Sequence, residues 1–270
     1  MSMDVKGKVF VVTGGGNGMG REVVIGLIAR GARVAAVDLS EAGLAETVEL
    51  AGAASGMLTT HALNVTDRKA VLALPVAVVK AHGQVDGLLN VAGIIQRFVK
   101  LQELEFEEIE RVMNVNFWGV VNMTKAFLPA LLARPEAAVL NVSSMGGFLP
   151  VPGQAAYGAS KAAVKLFTEA LYAETRGTNV SVTVVFPGGV GTNITANSGV
   201  EIKMPESADA GKGYKTTSAV DAGRQIVEGV EKGAYRVVIG GDAKFMDRMS
   251  RLSPRRATEL IAKQMKALLG

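Results

Sequence analysis

The chain has 270 residues, 49% of them hydrophobic and 20% charged, with 32 glycines and a formal net charge of +4. That composition belongs to a globular chain with a sizeable core, and no apolar stretch is long enough for a membrane span. It contains no cysteine, which excludes disulfides, thiolate catalysis and cysteine metal sites, and its two histidines, His61 and His82, lack the spacing of a metal site. The N-terminus MSMDVKGK runs into the first apolar segment without the pattern of a signal peptide, so a cytoplasmic location is expected.

Val9 to Val12 read as a short strand buried on both faces. Glycines follow, and the pattern turns helical from Met19. Unpaired N–H groups and the positive dipole end converge at such a helix start, which makes it an anion site. Gly14 permits the turn, Gly18 lets a pyrophosphate approach, and Gly20 lets helix and strand pack closely. A second strand, Arg33 to Val37, ends on Asp38, whose carboxylate suits the hydroxyls of an adenosine ribose.

The alternation continues along the chain: a helix over Glu41–Leu50, a strand over Met57–Ala62, and a helix over Asp67–Ala81 with Pro75 as an irregularity. A strand over Asp86–Val91 follows, then a long helix over Phe106–Leu132, kinked at Pro129. Further strands are expected at Ala138–Val142, Val180–Phe186 and Arg236–Ile239, with helices at Ala155–Arg176 and Val220–Glu231. The pattern predicts one doubly wound α/β domain over residues 1–270, a Rossmann-like parallel sheet of order 3-2-1-4-5-6-7. The long loop 193–217 reads as a substrate lid. Residues 242–270 read as a helical tail; from Lys232 to Lys266 nine basic residues face three acidic ones. That stretch is either a solvated face or a patch for an acidic partner such as an acyl carrier; nucleic acid is not expected.

Tyr157 and Lys161 share one face of a predicted helix. An ammonium near a phenol favours the phenolate, which draws a pKa near ~10 toward the working pH. Such a tyrosine serves as a general acid or base at an alcohol or carbonyl oxygen, and the hydroxyl of Ser144 suits the same oxygen.

Together these motifs resemble the short-chain dehydrogenase/reductase family over about Lys6 to Gly241. Thr13-Gly14-x-x-x-Gly18-x-Gly20 is similar to its cofactor loop and Asn90-Val91-Ala92-Gly93 to its Asn-Asn-Ala-Gly turn. Asn116-Phe117-Trp118-Gly119 resembles the segment bearing its catalytic asparagine, and Pro187-Gly188 with Thr192 the loop that grips the nicotinamide carboxamide. The resemblance implies Ser144, Tyr157, Lys161 and Asn116 as catalytic residues, with Lys161 also holding the nicotinamide ribose and Asn116 a water. It implies a cofactor site of Gly14, Asn17, Gly18, Met19, Gly20, Asp38, Leu39, Asn64, Val65, Asn90, Ala92, Gly93, Tyr157, Lys161, Pro187, Gly188, Val190 and Thr192, with no metal. Asn64 stands where the family has aspartate and keeps a carbonyl oxygen for the adenine amino group.

NAD is the expected cofactor and NADP the alternative, since Asp38, Leu39, Ser40 and Asn17 offer no cation for a 2′-phosphate and Arg21 should point along the first helix. Apolar residues are expected around a small-molecule substrate: Ile94, Ile95, Met145, Phe148, Leu149, Val151 and Val190, with Gln154 the polar exception. They favour a lipophilic secondary alcohol or ketone. The other readings are an NADP-dependent 3-oxoacyl-carrier-protein reductase and a non-catalytic nucleotide sensor. Apolar residues on more than one face of the two long helices (Phe117, Trp118, Val121, Phe127; Leu166, Phe167, Leu171, Tyr172) predict a homo-oligomer, a tetramer by resemblance.

Overall fold

The computed structural model describes residues 2–200 and 216–265. Strand β1 (Val9–Thr13) leads into α1 (Gly18–Ala29), and β2 (Arg33–Asp38) into α2 (Glu41–Ala51). Then come β3 (Leu58–Ala62), α3 (Arg68–His82) and β4 (Gly87–Asn90). After α4 (Phe106–Met113) and α5 (Gly119–Leu132) come β5 (Ala137–Val142), α6 (Ala155–Glu174) and β6 (Val180–Pro187). The two-residue strands β7 (Val190–Gly191) and β8 (Thr217–Ser218) pair with each other, with the one-turn helix α7 (Ile194–Asn197) between them. The described chain ends with α8 (Ala219–Glu231), β9 (Arg236–Ile239), α9 (Gly241–Leu252) and α10 (Pro254–Met265).

The main sheet is parallel throughout, in the order β3-β2-β1-β4-β5-β6-β9. Period-two alternation explains its two cores. Phe10 and Val12 pack with α1 and α8 on one face, whereas Val9 and Val11 pack with α3, α5 and α6 on the other. Both faces of β1 are therefore buried. A third cluster joins Leu149, beyond β5, to Met246, Ala257 and Ile261 of the two terminal helices.

One expectation is corrected. The helix expected over Phe106–Leu132 is interrupted by a π-helical turn at Asn114–Trp118. The extra residue in that turn accompanies an inward Asn116, whose amide is tied to the main chain of Ile94. Pro129 and Pro75 lie within helices. The carbonyl that Pro129 leaves unpaired belongs to Lys125, and both residues are solvent-exposed. Of the expected lid 193–217, residues 194–197 are helical, and 201–215 lie outside the described residues, as do 266–270 of the tail.

Candidate active site

The loop after β1 shapes a nucleotide cradle. Gly14 adopts φ +73°, a conformation that favours glycine, and a Cβ on Gly20 would lie 2.0 Å from the Gly14 carbonyl oxygen. Helix α1 therefore starts directly against the loop, with Asn17 as its cap; the Asn17 side chain accepts from Gly18 N at 2.6 Å. The helix start opens on a cavity of about 620 Å³ along the carboxyl ends of β1 to β4. Twelve of the expected cofactor residues line it: Gly14, Asn17, Gly18, Met19, Gly20, Asp38, Leu39, Asn64, Val65, Ala92, Gly93 and Thr192.

At one end of the cavity Asp38 is held by two main-chain donors. Its Oδ2 accepts from Gly16 N at 2.9 Å and its Oδ1 from Ser40 N at 3.0 Å. A rigid carboxylate thus faces the cavity beside Leu39. Arg21 departs from expectation. Its guanidinium turns back over the loop to donate to the Gly16 carbonyl at 2.5 Å, and it pairs with Glu46 of α2 at 2.6 Å. A cation does stand near Asp38, with its charge taken up by Glu46.

The remaining expected cofactor residues, and Asn64 among the twelve, have side chains engaged elsewhere or set away from the cavity. The Asn90 amide donates to Asn141 Oδ1 at 2.8 Å across β4 and β5, inside the sheet. The Asn64 side-chain oxygen accepts from Thr66 N and Thr66 Oγ1 at 3.0 and 2.9 Å, so the oxygen expected to meet adenine already serves a local turn. The spacing Asn64-Val65-Thr66 was the available signal. Val190 packs against the core formed by Phe10, Val12, α1 and α8. Pro187 ends β6, and Gly188 follows it beneath the Asp242 carboxylate, which accepts from Gly189 N at 2.7 Å.

The four expected catalytic residues converge beyond Gly93. Ser144 starts a short turn after β5, and its Oγ accepts from Gly146 N at 3.0 Å, which leaves its own hydrogen for the Tyr157 phenol. Lys161 is buried and donates to the Val142 carbonyl at 3.0 Å; its Nζ lies 5.9 Å from the centroid of the Tyr157 ring. A Cβ on Gly93 would lie 3.0 Å from that Nζ and 3.3 Å from Asn116 Oδ1. The end of the cavity therefore meets Lys161 and Asn116. Asn116 spends its side chain on protein partners: Ile94 N, Ile94 O and Ser160 Oγ, at 2.9, 2.9 and 3.0 Å.

Burial dominates the electrostatics here. It pulls the Lys161 ammonium down to about 8 and holds the Tyr157 phenol above its ordinary value, with the Ser144 hydrogen bond opposing the latter.

Sequence reasoning passed over three residues that shape this region. Thr13 Oγ1 accepts from Val91 N and Ala92 N at 3.1 and 3.2 Å and fixes the turn after β4. Asp242 holds the loop after β6, and Gln96 caps α6 from a distance. Asp242 and Gln96 sit in no recognisable motif, and Thr13, although it opens the cofactor-loop motif, acts like them on main chain far away in sequence. In the expected apolar wall Leu149 is buried beneath α9 and α10, and Met145, Phe148 and Val151, each partly exposed, pack against the same cluster. Phe148 lies 5.4 Å from Phe186, and the Arg236 guanidinium sits over Phe186 at 4.2 Å.

The short chain dehydrogenase profile matches residues 8–202. The Mycobacterium tuberculosis protein SadH, provisionally named an oxidoreductase, is 40% identical over 262 residues, covering 95% of each chain. The 3-oxoacyl-[acyl-carrier-protein] reductase FabG of Thermotoga maritima is 35% identical over 206 residues, covering 76% of this chain and 81% of that one. Among solved structures, a short chain dehydrogenase/reductase from Burkholderia phymatum in complex with NAD superposes with a TM-score of 0.83 at 27% identity, covering 94% of this chain and 96% of that one.

Proposed function

This chain belongs to the short-chain dehydrogenase family, and on that premise we propose that it is an NAD-dependent oxidoreductase interconverting a lipophilic secondary alcohol and its ketone. The observation that carries the reading is the meeting of Ser144, Tyr157 and Lys161 beyond the inner end of a cavity cradled by a helix N-terminus. The dimensions suit a dinucleotide: a cavity of about 620 Å³ is in the range of ligand sites. The first turn of α1, at Met19 and Gly20, offers main-chain N–H groups to a pyrophosphate, and Asp38 accepts from the adenosine ribose. When bound, the oxidised cofactor would supply the hydride acceptor.

Tyr157 takes the proton of the substrate hydroxyl as general base and returns it in the reverse direction. Ser144 holds the same oxygen. Lys161, with its ammonium drawn to about 8, both stabilises the phenolate and passes a proton onward near neutral pH. The Asn116 amide is committed to Ile94 and Ser160, so its part in a proton path falls to main chain: a π turn releases a carbonyl from the helical pattern, where a water can sit.

Asp38 makes NAD the preferred cofactor, since its charge repels a 2′-phosphate and Arg21 is neutralised by Glu46. The second reading, an NADP-dependent reductase of carrier-bound 3-oxoacyl groups, is favoured by the 35% identity to FabG. Among the described residues no helix is long and apolar enough to cross a membrane, and we place the reaction in the cytoplasm. We also propose a homotetramer. Phe127 and Leu171 turn out to face the sheet, but Trp118 and Leu166 are 45% and 64% exposed on the long helices, and they supply the apolar contact. Light scattering at micromolar concentration tests the assembly, and a monomer would end that part.

The activity test supplies the pure protein with NAD or NADP and a panel of secondary alcohols, and with the reduced cofactors and ketones. Lipophilic alcohols with NAD are expected to give reduced nicotinamide. Activity confined to NADP and carrier-bound 3-oxoacyl groups would establish the second reading instead.

A further inference from the structure

Helix α6 carries both Tyr157 and Lys161, yet it begins without a cap of its own: the residue before it, Gln154, makes no side-chain capping hydrogen bond. The N–H groups of a first helical turn need partners when buried. Here they find one far away in sequence. Gln96, wholly buried in the segment after β4, accepts from Ala156 N at 2.8 Å and from Tyr157 N at 3.0 Å through the same side-chain oxygen. Its amide nitrogen donates to the Gly153 carbonyl at 3.0 Å, and its own carbonyl accepts from Gln154 Nε2 at 3.0 Å. Four hydrogen bonds therefore tie one residue to the chain between Gly153 and Tyr157.

The neighbours of Gln96 are fixed as well. Ile94 is held through both main-chain groups by Asn116, and Ile95 N donates to Ser198 Oγ at 2.9 Å. A segment pinned at every residue is a rigid reference, so the place where α6 starts is set from the segment that ends the nucleotide cavity.

We propose that Gln96 is a positioning residue that fixes the first turn of α6 and thereby holds the Tyr157 hydroxyl at Ser144. The proposal rests on Tyr157 being the acid–base group. It acts through one acceptor atom that serves the N–H of the tyrosine itself, so a small rotation of the first turn would carry the phenol away from Ser144 and toward water. Lys161, on the next turn, is anchored separately by the Val142 carbonyl and would move less. Misplacement by about 1 Å can cost about a hundredfold in rate.

Gln96→Met keeps the length of the side chain and removes the acceptor. The direct readout needs no substrate: the pH titration of tyrosinate absorbance, with each protein read against its Tyr157→Phe counterpart to remove Tyr172, Tyr214 and Tyr235. Ser144 and Lys161 stay in place in all four proteins. In Gln96→Met the Tyr157 phenol is expected to titrate lower than in wild type, toward the ordinary tyrosine value near ~10, while cofactor affinity holds. With an alcohol substrate, kcat is expected to fall about tenfold or more. A folded variant whose Tyr157 titration matches wild type would overturn the proposal. Should the methionine variant fail to fold, Gln96→Glu decides. Its carboxyl keeps the acceptor whether protonated or ionised, so its Tyr157 titration is expected to match wild type. A Tyr157 titration shifted in Gln96→Glu, although the acceptor is kept, would overturn the proposal. Turnover persisting in Tyr157→Phe would instead remove the acid–base reading, with the phenol titration still reporting on position.

Discussion

At the amino-terminal edge of the sheet, the buried carboxylate of Asp86 has every oxygen spoken for. Arg134 Nε donates to Oδ1 at 2.7 Å, and Val9 N and Gln84 Nε2 donate to Oδ2 at 2.9 and 2.7 Å. Nearby, the Asn179 amide closes the end of α5 by donating to the carbonyls of Leu131 and Arg134. At the carboxyl-terminal edge the polar groups are held as firmly but differently. Asp38 is fixed by two N–H groups and faces a cavity, and Ser144, Tyr157 and Lys161 stand beside one another beyond its inner end. One edge uses its charges to complete the fold, whereas the other gathers polar groups in and beyond a cavity. In a parallel sheet the loops at the strand ends supply the site, so changes at the two edges should damage different properties.

The largest expected effect is at the carboxyl edge. Tyr157→Phe removes only the proton-transferring hydroxyl, and kcat should fall about 10²–10⁴-fold. Melting temperature and cofactor affinity should stay at wild type; a joint fall of all three would blur the two edges. Asp86→Ala is the converse. It strands the Arg134 guanidinium, whose side chain remains 29% exposed, so the loss should be about 3 kcal/mol, the low end for breaking a buried ion pair. Urea unfolding measures that loss, and the rate per folded molecule should be unchanged.

Lys161 sharpens the contrast because its burial costs stability at the site itself. Its pKa is lowered from 10.5 to about 8. Below pH 8 the ammonium is charged in both folded and unfolded chains, and the full cost of burial is present. Between pH 8 and 10 the folded chain releases the proton first, so the unfolded chain binds more protons and stability rises with pH. Relative to Lys161→Met, wild type should gain about 2–3 kcal/mol across that window, measured by urea unfolding at steps of pH. A flat difference would mean that the ammonium is not desolvated. The raised phenol of Tyr157 works in the opposite sense only near and above the ordinary tyrosine value. The smallest effect is expected at Asp38. Asp38→Ala should narrow the preference for NAD over NADP by about ten- to a hundredfold in kcat/KM, equivalent to roughly 1.5–3 kcal/mol for charge-assisted hydrogen bonds. Wild type faster with NADP would contradict the role given to this carboxylate.

Most of the sheet and the glycine loop were legible because their signals are local: buried strands read as β-branched runs, and turns as glycines. What was not legible depends on partners distant in sequence. Asn114 to Trp118 read as ordinary helix, and only the bond between Asn116 and Ile94 accounts for the π turn. Nothing near Arg21 announces Glu46, which turns its guanidinium across the loop. Leu149 looked like substrate wall, since an apolar residue reads alike whether a ligand or a terminal helix covers it. Gln96 carries no local signal for capping a helix 60 residues on.

Transfer of deuterium tests the central claim most directly. A lipophilic secondary alcohol deuterated at its carbinol carbon is incubated with the pure protein and NAD, and the reduced nicotinamide is isolated. The account predicts deuterium in the reduced ring with wild type and almost none with Tyr157→Phe under saturating cofactor. Label lost to solvent water, or equal transfer by the two proteins, would contradict it.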